Sequence, residues 1–468
     1  LKAEKAKRIS EENHPGIRNP NALNSNLYTF PLHSAERFLW VSMGDLLEIS
    51  QPSYSDKLQV FYCPPTEAAV QSVEWVDVRP IGQVLSRSAV EFNLSGNSAS
   101  YVDLQNTRLR IKARIVREDS SPITEEDNVS FVNNTLHSLF NQCDVSIQQK
   151  VITPNVSTNY AYKAILDVLL SDADEHTLQA QFFYKDNPGY MDDSDCRAGG
   201  NSGLFDRFLL TTGGAIVDME GQIYMDICQQ ERYVLNGVQI NFKFWPSRDS
   251  FCLMSGDNKR YRAEVTEAVL RVCYVKLNPA VLLAHNDTLQ KQEALYPYKK
   301  SDVKCFGVPQ GQYSVSIDDI FQGEIPDRLI VGLVASEAFS GSFQRNPFNF
   351  SHYDCNFIAL YVDGRSVPSV PYEPNFESKQ FVSSYRSLGL DNKSSCIISK
   401  EDYSSGYTVY AFNISPHVDR HCLPLVKKGH TRLEVRFGKP LPEAVTVVCY
   451  ANFLGLATVD ATTEVRVR

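Results

Sequence analysis

Five blocks of sequence recur in the same order in the two halves of this chain, and that repetition limits its fold more than any other feature. EFNLS…DLQNTRLRIKARIV is answered by SVSIDDIFQGEIPDRLIVGLVA, each a short strand, a polar connector and a longer strand. A hairpin follows in both halves, CDVSIQQKVITP from Cys143 to Pro154 and FIALYVDGRSVP around Asp363-Gly364. Overlaying them pairs Val362 with Ile147, Arg365 with Lys150 and Val367 with Ile152. Asp-Gly between β-formers suits a two-residue hairpin turn, because both residues tolerate positive φ. Helical periodicity comes third, at Tyr160–Leu170 and Phe381–Leu388. GQIYMDI…VLNGVQINFKF then matches GYTVYAFNI…KKGHTRLEVRF. AVLRVCYVKL and AVTVVCYANF close the series and place Cys273 beside Cys449. The offset between copies shrinks along the chain, as it must if the first half carries the longer loops.

Each half reads as short strands. Strands are expected at Val60–Cys63, ending at Pro64-Pro65, at Val90–Leu94, at Ile223–Ile227, at Val238–Phe244 and at Val265–Leu277, and again from Val303 and Tyr313. Phe38–Ile49 fits either a short helix or a strand. The clearest alternation runs from Arg108 to Arg117. Leu109, Ile111, Ala113 and Ile115 point one way, and Arg108, Arg110, Lys112 and Arg114 the other. That cationic face is a candidate contact for phosphate or for an acidic neighbour; a solvated face with carboxylates opposite explains it more simply. Leu329–Val334 is apolar throughout, so both its faces should be covered, by the other half or by another subunit. Eight antiparallel strands per half in two packed sheets describe a jelly roll. The expected fold is all-β, a tandem double jelly roll of two eight-stranded antiparallel sandwiches with a few short helices in loops. Its parts are an N-terminal arm (1–55), a first jelly roll (56–285), a connector (286–300), a second jelly roll (301–460) and a C-terminal tail (461–468).

Little suggests catalysis. The nine histidines form no His-x-His pair, and His417 and His421 in HVDRH follow Pro416 without a metalloprotease pattern. The stretch 185–222 reads as loop-rich, and Asp192, Asp193 and Asp195 within it lack the order of ligands, glycine and distal glutamate of a calcium site, so an exposed loop is expected there. No Gly-x-Ser-x-Gly occurs, and the eleven cysteines are scattered singly. Free thiols and folding inside a cell are therefore expected. The net charge of −9 argues against a dedicated nucleic-acid binder. No apolar run is long enough to span a membrane, and LKAEKAKR at the start lacks the apolar core of a secretory signal. No cofactor, metal or catalytic residue is assigned.

Several motifs carry a resemblance: CPPT at Cys63–Thr66, NTLHSLFNQCDVSI at Asn134–Ile147, QERYVLNGV at Gln230–Val238, LNPAVLLAH at Leu277–His285, NPFNFSHYDCNFIALYVDG at Asn346–Gly364 and DYSSGYTVYAFNIS at Asp402–Ser415. From about Leu58 to Asp460 the chain resembles the major capsid proteins of Polinton (Maverick) elements and adintoviruses, in the double jelly-roll lineage of the adenovirus hexon. Gln148-Gln149 departs from the Asn-Gly-like turn expected in its place, and the first 55 residues match no family pattern. The resemblance implies a homotrimer of pseudo-hexagonal outline that tiles an icosahedral shell. That shell encloses double-stranded DNA without sequence-specific binding, and a separate single jelly-roll penton protein fills its vertices. The implied location is the virion capsid, folded and assembled inside the host cell. Candidate assembly contacts are Arg108, Arg110, Lys112, Arg114, Asp363 and Arg365, although turn chemistry alone accounts for the last two. The competing readings are a lectin-like tandem β-sandwich for binding or adhesion, and a metal-dependent jelly-roll enzyme. The first should show a secretory signal or paired cysteines, and the second clustered His/Glu ligands.

Overall fold

The computed structural model describes residues 66–467 apart from 83–87, 97–98, 154–158, 258, 390–395 and 416–424, together with 27–31, 38–42, 56–58, 60–61 and 63 before them. Two units divide the chain, Leu1–Glu67 and Ala68–Arg468. In the first, β1 (Leu27–Pro31) pairs antiparallel with β2 (Phe38–Ser42), so the stretch left open between helix and strand begins as a strand. The strand expected at Val60–Cys63 is not formed, since Val60 and Phe61 lie in a turn. With Pro64 and Pro65 next in sequence, so short a run has no ladder to join.

The second unit contains the repeat. Its first half runs β3 (Val70–Val78), β4 (Val90–Leu94), β5 (Ser100–Arg117), β6 (Val129–Phe131), β7 (Phe140–Ile147), β8 (Lys150–Val151), β9 (Val217–Gln222), β10 (Ile240–Pro246), β11 (Leu253–Ser255) and β12 (Tyr261–Leu277). Its second half runs β13 (Ala294–Val308), β14 (Ser314–Asp318), β15 (Glu324–Ile325), β16 (Arg328–Ala335), β17 (Cys355–Val362), β18 (Arg365–Tyr372), β19 (Val409–Asn413), β20 (Lys427–Lys428), β21 (Thr431–Phe437), β22 (Val445–Val459) and β23 (Val465–Val467). One sheet of the first half has the order β3-β12-β5-β9 and the other β4-β10-β7-β8. The second half repeats both, as β13-β22-β16-β19 and β14-β21-β17-β18. Every pairing is antiparallel. Two eight-stranded sandwiches with one strand order make a double jelly roll.

Alternation drives each sandwich. Leu109, Ile111, Ala113 and Ile115 on β5 are fully buried and meet Phe92, Val145 and Phe242 of the facing sheet in one core. Leu329, Val331 and Leu333 on β16 do the same with Ile358, Leu360, Leu433 and Val435 in the second half. The two hairpins turn alike, Ile147 pairing with Lys150 and Val362 with Arg365. Asp363 and Gly364 both take positive φ, 48° and 79°. In the first hairpin Gln148 takes φ 55° without a glycine beside it.

Three stretches differ from the sequence reading. Ile223–Ile227 is not a strand; β9 ends at Gln222 and a short 3-10 helix occupies Asp226–Gln229. Ile223, Tyr224, Met225 and Ile227 are all buried, and such continuous burial breaks a period-two pattern. The stretch 185–222, expected to be loop-rich, contains a helix (Ser202–Thr211), β9 and the fully buried Arg207. Residues 286–300 divide between the end of a helix (Pro279–Leu289) and the start of edge strand β13. Near the C-terminus β23 pairs with β22.

Candidate functional site

The geometry with the clearest consequence is the seam between the two sandwiches. β16 presents Leu329, Val331 and Leu333 to its own core, while Ile330 and Val334 join the core cluster of the first half. Val409, Ala411, Val448 and Tyr450 on neighbouring strands of that sheet join them. The apolar run Leu329–Val334 is therefore covered on its second face by the other half of the same chain. The cover includes the helix Tyr160–Leu169, which is buried along nearly its whole length.

A loop of the second half, Arg345–Phe350, locks into the first. Tyr162 donates its hydroxyl to the Pro347 carbonyl at 3.0 Å, and its ring packs against Phe339, Phe348 and Phe350 at 5.4, 5.8 and 6.4 Å. Phe350 in turn lies over Gly332, where an added Cβ would sit 2.6 Å from the ring, so β16 has no room for a side chain there. Asp192 accepts from the Asn346 backbone N–H (2.9 Å), from Asn349 Nδ2 (2.8 Å) and from Arg345 Nη1 (3.2 Å). Asp186, whose side chain is fully buried, accepts from Arg207 Nη2 (2.6 Å), Asn201 Nδ2 (3.1 Å) and Asn346 Nδ2 (2.9 Å). Its backbone carbonyl accepts from the Tyr407 hydroxyl at 2.9 Å. The aspartates of the 185–200 stretch thus serve as interlocking acceptors; among the described residues no group of three metal-ligating side chains exists.

A second polar cluster bridges the seam at Lys163. Its ammonium lies 2.8 Å from Asp167 and 3.2 Å from Asp226. From the other half, Ser301 donates to Asp226 through its backbone N–H (2.8 Å) and its hydroxyl (2.5 Å), and Tyr450 donates to Asp167 at 2.6 Å. Burial works against the Lys163 charge, but Asp167, Tyr450 and Asp226 outweigh it and hold its pKa well above that of an ordinary lysine. A buried cation set between carboxylates and capped by hydroxyls satisfies the terms that make such a charge tolerable.

The cationic face of β5 is largely matched by carboxylates of its own chain. Arg110 pairs with Asp218, Lys112 with Glu267 at 2.6 Å and Arg114 with Glu264 at 2.6 Å. Arg108 instead donates to the Gln105 carbonyl at 2.9 Å. Arg271 extends the lattice to Asp77 and Glu220, both at 3.1 Å. The same sheet therefore carries charge on its outer face in one half and apolar residues, covered by the other half, in the second. Asp363 sits in its turn with its carboxylate accepting from the His430 N–H at 2.8 Å. Arg365 is exposed on the following strand.

Desolvation pushes the thiol pKa of Cys196, Cys305 and Cys355 up to about 12. His417 and His421 lie outside the described residues. Sequence reasoning missed the seam cluster, although Lys163 and Asp167, one turn apart in YAYKAILDVL, carried a usable signal. A charged pair one turn apart in an otherwise apolar helix marks a buried pair.

No family model matches the sequence. An uncharacterized protein of Caenorhabditis elegans, F54H12.2, is 26% identical over 419 residues, covering 85% of this chain and 97% of the relative. Among solved structures, a chain of the Sputnik virophage superposes with a TM-score of 0.58 at 10% identity, covering 92% of this chain and 94% of the other. The mavirus major capsid protein gives 0.51 at 9% identity, over 92% and 97% of the two chains. The faustovirus major capsid protein gives 0.51 at 8% identity, over 85% and 92%. The fold of this chain is that of double jelly-roll viral major capsid proteins.

Proposed function

We propose that this chain is a major capsid protein of Polinton or adintovirus type. It assembles as a pseudo-hexameric homotrimer that tiles an icosahedral shell around double-stranded DNA, with a separate single jelly-roll protein at the vertices. The observation that carries this reading is the repetition of one strand order in two sandwiches fused through an apolar, hydrogen-bonded seam. Two similar wedges held rigidly in one chain provide six in a closed ring of three copies. A role in a shell asks for no catalytic step, and the likeness to viral capsid proteins along most of the chain agrees with it. The six named surface residues, Arg108, Arg110, Lys112, Arg114, Asp363 and Arg365, enter as candidate contacts between copies. Sedimentation equilibrium of the purified chain tests the first step. The expected mass is three times the 52.7 kDa of one chain, and a monomer at all concentrations rejects it.

A further inference from the structure

A cleft of about 670 Å³ opens along the seam, with one wall from each sandwich. Its floor is aromatic, formed by Tyr162, Phe251 and Phe339, with Tyr162 stacked on Phe339 at 5.4 Å and edge-on to Phe251 at 5.9 Å. Its rim carries two cations, Arg248 and Lys304, and no carboxylate lines it, on a chain whose net charge is −9. Arg248 is exposed and spends one N–H on the Ser340 carbonyl at 3.3 Å. Lys304 lies 3.3 Å from Asp302, outside the cleft, and its side chain keeps 23% of its surface in solvent. Ser247 adds a buried hydroxyl oxygen that has no hydrogen-bond partner in the folded chain. Buried polar atoms are seldom left unpaired without a reason.

We propose that this cleft docks an acidic, aromatic-bearing peptide segment of another protein. The partner's aromatic side chain packs on the Tyr162–Phe339 floor, and its carboxylates meet Arg248 and Lys304. Charge complementarity selects the occupant, because Arg248 has no carboxylate partner among the described residues and a basic segment crossing the cleft would meet it and Lys304 with like charge. The open side of the cleft suits a polypeptide crossing it rather than an enclosed acyl chain. Because both walls are needed, binding would also reinforce the seam.

Fluorescence anisotropy on the full chain tests this with a fluorescein-labelled peptide, acetyl-Asp-Phe-Glu-Phe-Asp-amide. Its control is the same peptide with lysine in place of every acid. The acidic peptide should saturate with a Kd of roughly 0.1 mM or tighter and weaken as salt rises, while the basic control should not bind. Arg248→Glu and Phe339→Ala should each weaken binding about tenfold or more, a change of about 1.4 kcal/mol. Arg248 is exposed, so its variant should melt like the parent and separates lost binding from lost folding. Equal binding of the basic control, undiminished binding by Arg248→Glu, or no saturation by either peptide overturns the proposal. Displacement by sodium decanoate with no peptide saturation overturns it in favour of a small amphiphile.

Discussion

Replacing Lys163 with methionine would leave Asp167 and Asp226 facing each other in the seam with no cation between them. Removing one partner of a buried ion pair costs about 3–5 kcal/mol, because the remaining charge stays desolvated. Arg110→Ala, by contrast, breaks a pair whose members keep 33% and 45% of their side-chain surface exposed, and should cost under about 1 kcal/mol. Urea unfolding of both variants checks the contrast, and comparable losses would mean that the seam cluster is not a buried bridge. His137 makes a second, pH-dependent prediction. Its ring is fully buried, with Nδ1 2.9 Å from the Tyr160 hydroxyl, and burial lowers its pKa to about 3. The unfolded chain takes up that proton near pH 6.5, so the unfolded state binds more protons below it. Stability from this group is complete above about pH 6.5 and falls as the pH drops towards 3, by about 1.4 kcal/mol per unit. His137→Gln should flatten that part of the profile relative to the parent, and parallel curves would remove His137 as the cause.

Among the elements, those whose pattern was local were the most legible. β5 announced itself by strict alternation, and β17 and β18 by their Asp-Gly turn. The duplication followed from matching such segments in sequence, while the shared strand order is seen in the structure. Leu329–Val334 announced its covered second face by an unbroken apolar run, but other regions whose burial depends on the other half were not legible in the same way. Ile223–Ile227 looked like a strand because its apolar residues are dense, yet they are buried by packing on several sides. The aspartates of 185–200 looked like solvent-facing loop residues because their partners, Asn346 and Asn349, lie about 150 residues away. Asn346–Phe350 entered the sequence reading only as part of a stretch that carries the resemblance, while in the structure it locks the seam. The hairpin itself offers a test. Asp363→Ala removes the acceptor for the His430 N–H and should cost about 1 kcal/mol. Arg365→Glu should leave the melting curve unchanged. A lower oligomeric mass for Arg365→Glu would place a contact between copies at this edge, and an unchanged mass would remove it from the candidates.

At the scale of the whole molecule, the seam explains why the two sandwiches are unlike on their outer faces. The β16 sheet turns Ile330, Val334, Val448 and Tyr450 towards the first half, so the second sandwich cannot present that face to water without exposing a large apolar patch. The β5 sheet turns a lattice of ion pairs outward. One chain thus holds two sandwiches of one strand order joined along the seam, and its proposed function rests on copies closing into a ring. Images of single purified particles test that most directly. Class averages viewed down the symmetry axis should show a threefold particle with six similar lobes, two from each chain. Averages showing isolated two-lobed particles at every concentration would contradict the account.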